Sequence, residues 1–271
     1  MPVIRVDRFD DPRLAEYRTV TDGELLRRRH RFVAEGRLVV ARLLESGHCV
    51  ESLLVNDASF RALEELLSRV SPHMPIYVCE TEEFAAITGF NLHRGCLALA
   101  ERPDVRPFQE VMRGADLLLV LEAVTDADNV GSAFRNAAAF GASVLLSEAC
   151  CDPLYRKAIR TSMGSTLRTP YARLENWPRD LATLKSERFT LVALTPRADA
   201  IDLPTCARKQ HQRLALLVGS EGPGLSAEAE ALADVCVRIP IAADVDSLNL
   251  ATATGIALYY FTNHESQVPN P

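Results

Sequence analysis

Five short runs in the second half of the chain, at 117–121, 144–146, 191–194, 214–218 and 235–239, are almost wholly apolar, and helical stretches separate them. A strand that is apolar in succession rather than in alternation needs cover on both of its faces. A parallel sheet sandwiched between helices supplies that cover, so the fold class expected is α/β. Open sheets of this kind hold their ligands where strands give way to loops. Three segments of this chain place polar side chains at such edges.

The first half reads as a smaller α/β unit. Thr21-Asp22-Gly23-Glu24 has the form of a capping box, opening a helix that runs through Leu25, Leu26, Phe32 and Val33 to about residue 44. That helix would carry Arg27, Arg28, Arg29, Arg31, Arg37 and Arg42, a basic surface that either contacts an RNA backbone or is a solvated face. A strand at 50–55, a helix at 58–70, a strand at 76–78, a helix at 81–87 and a strand at 96–100 follow. Arg102-Pro103-Asp104-Val105-Arg106-Pro107 then interrupts the pattern, because two close prolines restrict the backbone and remove donors. The boundary expected there divides the chain into domains 1–106 and 107–271.

A chain of 271 residues with 48% hydrophobic composition can bury two ordinary cores. Its net charge of −6 argues against coating nucleic acid by bulk positive charge, but leaves room for a local basic patch. Arginine far outnumbers lysine, which occurs only at Lys157, Lys185 and Lys209. That bias reflects either genome composition or bidentate phosphate contacts. The seven cysteines, Cys49, Cys79, Cys96, Cys150, Cys151, Cys206 and Cys236, are scattered without a Cys-x-x-Cys pair, so neither a zinc site nor a disulfide framework is expected. No apolar run approaches the roughly 20 residues that cross a bilayer, and the charged start lacks a signal core. The expectation is a reduced, cytoplasmic protein with no metal and no membrane partner.

The first polar segment is Asp128-Asn129-Val130-Gly131-Ser132-Ala133-Phe134-Arg135-Asn136-Ala137. Asp128 or Asn129 can cap a helix whose apolar side is Val130, Phe134, Ala137, Ala138 and Phe140 and which ends at Gly141. Arg135 is expected to face the same side as Asn129 and to reach a phosphate or a carboxylate. Alone, this segment equally fits a surface arginine beside a capping asparagine. The second segment packs Gly219, Gly222 and Gly224 around Glu221 after the run 214–218. Its spacing matches neither G-x-G-x-x-G nor the Walker pattern, which disfavours a dinucleotide or a nucleoside triphosphate. The third runs from Ile239-Pro240 past Asp244 and Asp246 into a helix at 248–261. Ser247 is a good N-cap, and Asn249, expected one turn inside the helix, is a poor interior residue unless its amide binds something.

In order and separation over about 116–261, these segments resemble the three signature motifs of the SpoU, or TrmH-type, RNA ribose methyltransferases of the SPOUT superfamily. The resemblance implies S-adenosylmethionine as methyl donor, a ribose 2′-hydroxyl of RNA as acceptor, and a C-terminal parallel-sheet domain with a trefoil knot. Asn129 and Arg135 match the first motif's Asn and catalytic Arg, Glu221 the second motif's acid, and Ser247 and Asn249 the third motif's pair. Cofactor contacts implied in the same way are Leu194, Thr195, Gly219, Ile239, Ser247, Leu248 and Asn249. The departures are Ser220 in place of Asn and Leu250-Ala251-Thr252 in place of Val-Ser-Val.

The first half is similar to the ribosomal-protein-like RNA substrate-binding domain of several relatives, which favours ribosomal over transfer RNA. RNA contacts are expected from Arg27, Arg28, Arg29 and Arg31, and from Arg156, Arg160 and Arg168 in the basic stretch 155–173 near the catalytic pocket. Family members act as homodimers with the site near the interface, so Arg135 is placed to serve the partner's cofactor. The surplus apolar residues Ile256, Leu258, Tyr259, Tyr260 and Phe261 suit such an interface or an internal sandwich. Arg135 is either a base or a stabiliser of the oxyanion and clamp on a phosphate. The competing functions are a tRNA 2′-O-methyltransferase and a non-catalytic RNA-binding assembly protein on the same fold.

Overall fold

The computed structural model describes residues 2–8, 10–18, 22–88, 95–206, 213–242 and 244–263. Its strands in chain order are β1 (Val3–Arg5), β2 (Arg31–Glu35), β3 (Val50–Asn56), β4 (Ile76–Cys79), β5 (Cys96–Glu101), β6 (Leu117–Leu121), β7 (Ser143–Leu146), β8 (Tyr171–Arg173), β9 (Thr190–Leu194), β10 (Ile201–Asp202), β11 (Leu214–Val218) and β12 (Val235–Arg238). Residues Met1–Asp104 with Pro153–Arg168 make one compact unit, and Val105–Asp152 with Thr169–Pro271 make the other. The chain therefore changes unit near the double-proline segment, at 104/105, and twice more. A 16-residue piece from inside the second half packs with the first, which no linear boundary at 106/107 can express.

The first unit is a five-stranded mixed sheet in the order β1-β4-β3-β5-β2, with β5 antiparallel to both neighbours. Side chains alternate between two cores. Phe32, Ala34, Leu53, Val55, Ile76 and Ala98 face one, and Val33, Leu54, Tyr77, Leu97 and Leu99 face the other. Leu154, Ile159 and Leu167 from the returning segment complete the first of these cores, each at most 6% exposed. The single arginine-rich helix expected over 21–44 is instead a helix Asp22–Arg28, the edge strand β2 and a helix Arg37–Glu45. His30 and Gly36 lie at positive φ (51° and 94°), where a helix cannot continue. The alternation of Phe32, Val33 and Ala34 between two cores then outweighs helix propensity. Thr21, the first member of the expected capping box, lies outside the described residues.

The second unit is a seven-stranded, all-parallel sheet ordered β10-β12-β9-β11-β6-β7-β8. Leu117, Leu119, Leu121, Leu214, Leu216 and Val218 enter one core, and Leu118, Val120, Ala215 and Leu217 the other. Cover on both faces is why these strands read as unbroken apolar runs. Strands β8 and β10 escaped the sequence reading because they are edge strands of three and two residues. Successive strands leave β6 first toward β7 and β8, then on the other side toward β9 and β12. Loops at the carboxyl ends of β9, β11 and β12 therefore open beside a change in winding direction, a place where α/β sheets hold ligands.

Candidate active site

The loop after β11 owes its shape to glycine. A Cβ on Gly219 would lie 2.0 Å from the backbone carbon of Gly224, and Gly222 and Gly224 have φ of +84° and +75°. Gly224 N–H donates to the Ser220 carbonyl at 3.0 Å and closes the turn. The turn leaves Glu221 exposed at its tip. Beyond it, Ser226 caps the helix Ala227–Leu232 by accepting from Ala229 N–H.

Asn249 stands just before the final helix, Leu250–Asn263, and not a turn inside it. Its Oδ1 accepts from Ala251 N–H at 2.9 Å, and its carbonyl accepts from Ala253 N–H at 2.9 Å. The N-cap is thus Asn249, correcting the expectation for Ser247, which is exposed two residues earlier. The Nδ2 of Asn249 donates to Glu221 Oε1 at 3.1 Å and lies 3.5 Å from Asn129 Oδ1. One amide joins all three polar segments.

On the helix Ala127–Ala139 the cap is neither Asp128 nor Asn129 but Asp126, which accepts from the N–H groups of both. Asn129 is freed to sit nearly buried, at 9% exposure, beneath Asn249. Arg135 is exposed and does not line the cleft. At about 100° per residue, six positions turn Arg135 well away from Asn129, so the expected common face does not exist.

A cleft of about 290 Å³ collects the remaining residues. Leu194 and Thr195 come from the end of β9, Gly219 and Glu221 from the loop after β11, Ile239 from beyond β12, and Ser247, Leu248 and Asn249 from the approach to the final helix. All seven residues anticipated as cofactor contacts line it. Val218, Ile241, Leu250 and Ala253 make its walls largely apolar, and no lysine or arginine is among its lining residues. Among the described residues the site therefore presents no basic side chain to a phosphate. It suits a flat apolar ring together with a cationic centre near Glu221, which is the chemistry of S-adenosylmethionine. Among the described residues no group of His, Cys, Asp or Glu could hold a metal ion, and no helix is long and apolar enough to cross a membrane.

One residue of the site architecture went unread in the sequence. Glu122 is 7% exposed, and it accepts from Ser226 N–H at 2.8 Å and from Trp177 Nε1–H at 2.5 Å. It ties the end of β6 to the far end of the glycine loop. An acid directly following the apolar run 117–121 was the available signal.

The seven arginines expected on RNA all lie in the first unit. Arg27 and Arg28 end the helix Asp22–Arg28, Arg29 follows it, Arg31 is on β2, and Arg156, Arg160 and Arg168 belong to the returning segment. The basic stretch 155–173 is not continuous. Arg173, on β8 of the second unit, donates to the carbonyls of Ser147, Glu148 and Cys150 at 3.2–3.4 Å and faces Asp152, so it braces the turn after β7.

A family model described as the SpoU rRNA Methylase family matches residues 116–259. An uncharacterized tRNA/rRNA methyltransferase of Mycobacterium tuberculosis is 43% identical over 256 residues, 92% of this chain and 88% of that one. The 23S rRNA (guanosine(2553)-2′-O)-methyltransferase RlmP of Bacillus subtilis is 28% identical over 84% of this chain and 87% of its own length. An AdoMet-bound rRNA methyltransferase from Sinorhizobium meliloti superposes with a TM-score of 0.80 at 26% identity, covering 95% of this chain and 97% of the other.

Proposed function

We infer the function of this chain from its membership: it belongs to the SpoU rRNA methylase family, and its reaction is transfer of a methyl group from S-adenosylmethionine to a ribose 2′-hydroxyl of RNA. The observation that carries this reading is the joining of Asn129, Glu221 and Asn249 at the mouth of a cleft that offers no cation to a phosphate. When bound, S-adenosylmethionine would supply an electrophilic methyl carbon on a sulfonium, for which a ribose 2′-hydroxyl oxygen is the acceptor. Leu194, Thr195, Gly219, Ile239 and Leu248 would hold the cofactor, mostly through backbone groups and apolar contact. Asn249 fixes the Glu221 carboxylate at the cleft mouth, where it favours positive charge and repels the phosphates of misplaced RNA.

Arg135 completes this arrangement from a second copy. The helices Ala127–Ala139 and Leu250–Asn263 pack together, with Asn136 Nδ2 donating to the Ala251 carbonyl at 2.6 Å. Leu258 and Phe261 are buried within the subunit, whereas Ile256 and Tyr259 are 40% and 52% exposed on the same helix. Part of the apolar surplus is therefore an internal sandwich, and the remainder, on a helix packed against the one that carries Arg135, supports a homodimer that presents Arg135 to the partner's cleft. There the guanidinium stabilises the developing oxyanion or clamps the adjacent phosphate. The knotted backbone, cytoplasmic location and preference for ribosomal RNA belong to the same proposal; the ribosomal choice is supported by the named activity of the Bacillus relative.

Labelled methyl transfer to unmodified ribosomal RNA and, separately, to unmodified transfer RNA, followed by nucleoside analysis, tests the reading. A 2′-O-methylnucleoside from ribosomal RNA is the expected result. Label in transfer RNA alone replaces the substrate, label on a base replaces the acceptor, and cofactor binding without transfer to either pool or to ribosomal particles removes the enzymatic reading.

A further inference from the structure

The glycine loop after β11 is tethered at both of its ends to one residue outside it. Glu122, which follows β6, donates its backbone N–H to the Val218 carbonyl at 2.9 Å, just before the loop begins. Its carboxylate accepts at Oε2 from Ser226 N–H at 2.8 Å, where the loop ends. Between those two contacts lie Gly219, Ser220, Glu221, Gly222 and Gly224, all of which line the cleft. Glu122 itself is buried and does not line it.

The other oxygen of that carboxylate, Oε1, accepts from Trp177 Nε1–H at 2.5 Å. The indole is a fixed donor. Asp180 accepts from the N–H groups of Glu175 and Asn176 at 2.9 and 2.8 Å, which closes the turn that carries Trp177. Leu174 and Leu181, at either end of that turn, are buried in the core that also holds Leu118 and Val120. Trp177 and Leu225, the latter from the glycine loop, both pack against this core. The chain after Glu122 is fixed as well. Ala123 has φ of +52°, and its N–H donates to Ser147 Oγ at 2.9 Å. A residue with a side chain persists in the left-handed region only where its surroundings hold it there.

We propose that Glu122 is a positioning residue for S-adenosylmethionine: it sets both ends of the glycine loop, and Trp177 holds its carboxylate toward Ser226, so that the Gly219 backbone and the Glu221 side chain meet the cofactor in a preformed cleft. This rests on the reading of the cleft as the cofactor site. A preformed loop binds without first being ordered, and that gain appears as affinity. The residue type follows from the contacts. A carboxylate has only acceptors, and both groups that face it are donors. A hydrocarbon side chain would leave two donors unserved, and a glutamine would turn its own NH₂ group against one of them.

Calorimetric titration of the full-length chain with S-adenosylmethionine tests this on wild type, E122Q, W177F and the double variant E122Q/W177F, with L184A, in the same core, as a destabilised control. In E122Q one acceptor faces two donors, and the dissociation constant should rise about 10-fold, the scale of one donor left without its partner. W177F leaves the contact with Ser226 and should raise it about 3-fold. In the double variant the opposed donor is gone, so the glutamine oxygen can serve Ser226, and affinity should recover to about the W177F value. Packing alone predicts the reverse, with two substitutions worse than one. L184A should lower the melting temperature at least as far as E122Q does and keep the wild-type affinity. Emission from Trp177, the only tryptophan of the chain, should shift in E122Q because the substitution changes what the indole faces. Wild-type affinity or unchanged emission in E122Q, a double variant that binds no tighter than E122Q, or an equal loss of affinity in L184A overturns the proposal. If wild type binds S-adenosylmethionine yet methylates no RNA, the catalytic reading fails and these affinities still decide the role of Glu122; absence of binding by wild type removes both.

Discussion

Asn249 donates from Nδ2 to Glu221 Oε1 at 3.1 Å while its Oδ1 accepts from the N–H of Ala251 at 2.9 Å. The two ends of the amide are not interchangeable: only the nitrogen can serve a carboxylate, and only the oxygen can cap a helix. A single side chain therefore starts the final helix and fixes the acid on the glycine loop.

Substitution at Asn249 should separate these two tasks. Asn249→Asp keeps a capping oxygen but sets a carboxylate against Glu221, so stability in urea should change little, while methyl transfer at neutral pH should fall about 10-fold or more, the scale of one misplaced polar contact. Asn249→Ala loses both tasks, with about 1 kcal/mol of stability gone as well. Wild-type turnover in Asn249→Asp would show that the contact with Glu221 is incidental.

Gly219→Ala should abolish cofactor binding without unfolding the chain. The new methyl would meet the Gly224 backbone at 2.0 Å, and backbone on a closed turn cannot step aside as a flexible side chain can. Calorimetry with S-adenosylmethionine, alongside circular dichroism, checks both halves of this expectation.

Arg135→Gln should leave stability within about 0.5 kcal/mol, because the residue is exposed, and should leave cofactor binding intact while transfer is lost. If Arg135 serves the partner's cleft, mixing Arg135→Gln chains with Asn249→Ala chains restores activity that neither has alone, because one site of each mixed dimer is whole. No recovery after confirmed subunit exchange would place Arg135 in its own subunit's reaction or outside the reaction altogether.

Ile159→Ala should cost about 2–4 kcal/mol in urea unfolding of the full chain, the usual cost of truncating a buried aliphatic side chain. Ile159 is 0% exposed in the core of the first unit, although it is encoded within the second half of the sequence. Lys157→Ala, two residues away on the exposed side, should lie within about 0.5 kcal/mol of wild type.

Burial pushes the Cys79 and Cys96 thiols up to about 12, from 9.0. Folded pKa values above unfolded ones give stability that is whole below pH 9.0 and is lost as pH rises toward about 12. Alkaline melts should show this decline, and it should be smaller in Cys79→Ala and Cys96→Ala than in wild type. In the native chain the exposed Cys49 should react with iodoacetamide well ahead of those two; equal rates would mean that the first unit opens readily.

The parallel sheet and the three polar segments were legible because the signals that specify them are local. Unbroken apolar runs require two-sided cover, and glycines with an acid or an amide at the end of such a run mark a ligand-binding edge. That Leu194, Ile239 and Leu248 would line the cleft was expected only through the resemblance, since nothing in their own chemistry separates them from other aliphatics. It misread residues 21–44 because arginine-rich helix and edge strand look alike over ten residues until the second face of the sheet is known.

The sequence by itself determined the fold class, the family and the composition of the cleft, all of which depend on residue type and order along the chain. Only the tertiary structure decided that Asn249 rather than Ser247 caps the last helix, that Arg135 faces away from Asn129, and that the segment Pro153–Arg168 completes the core of the first unit. Caps, helix faces and ion pairs depend on which of several suitable partners comes within about 3 Å, and that is settled by how distant stretches of chain bury their apolar surfaces together.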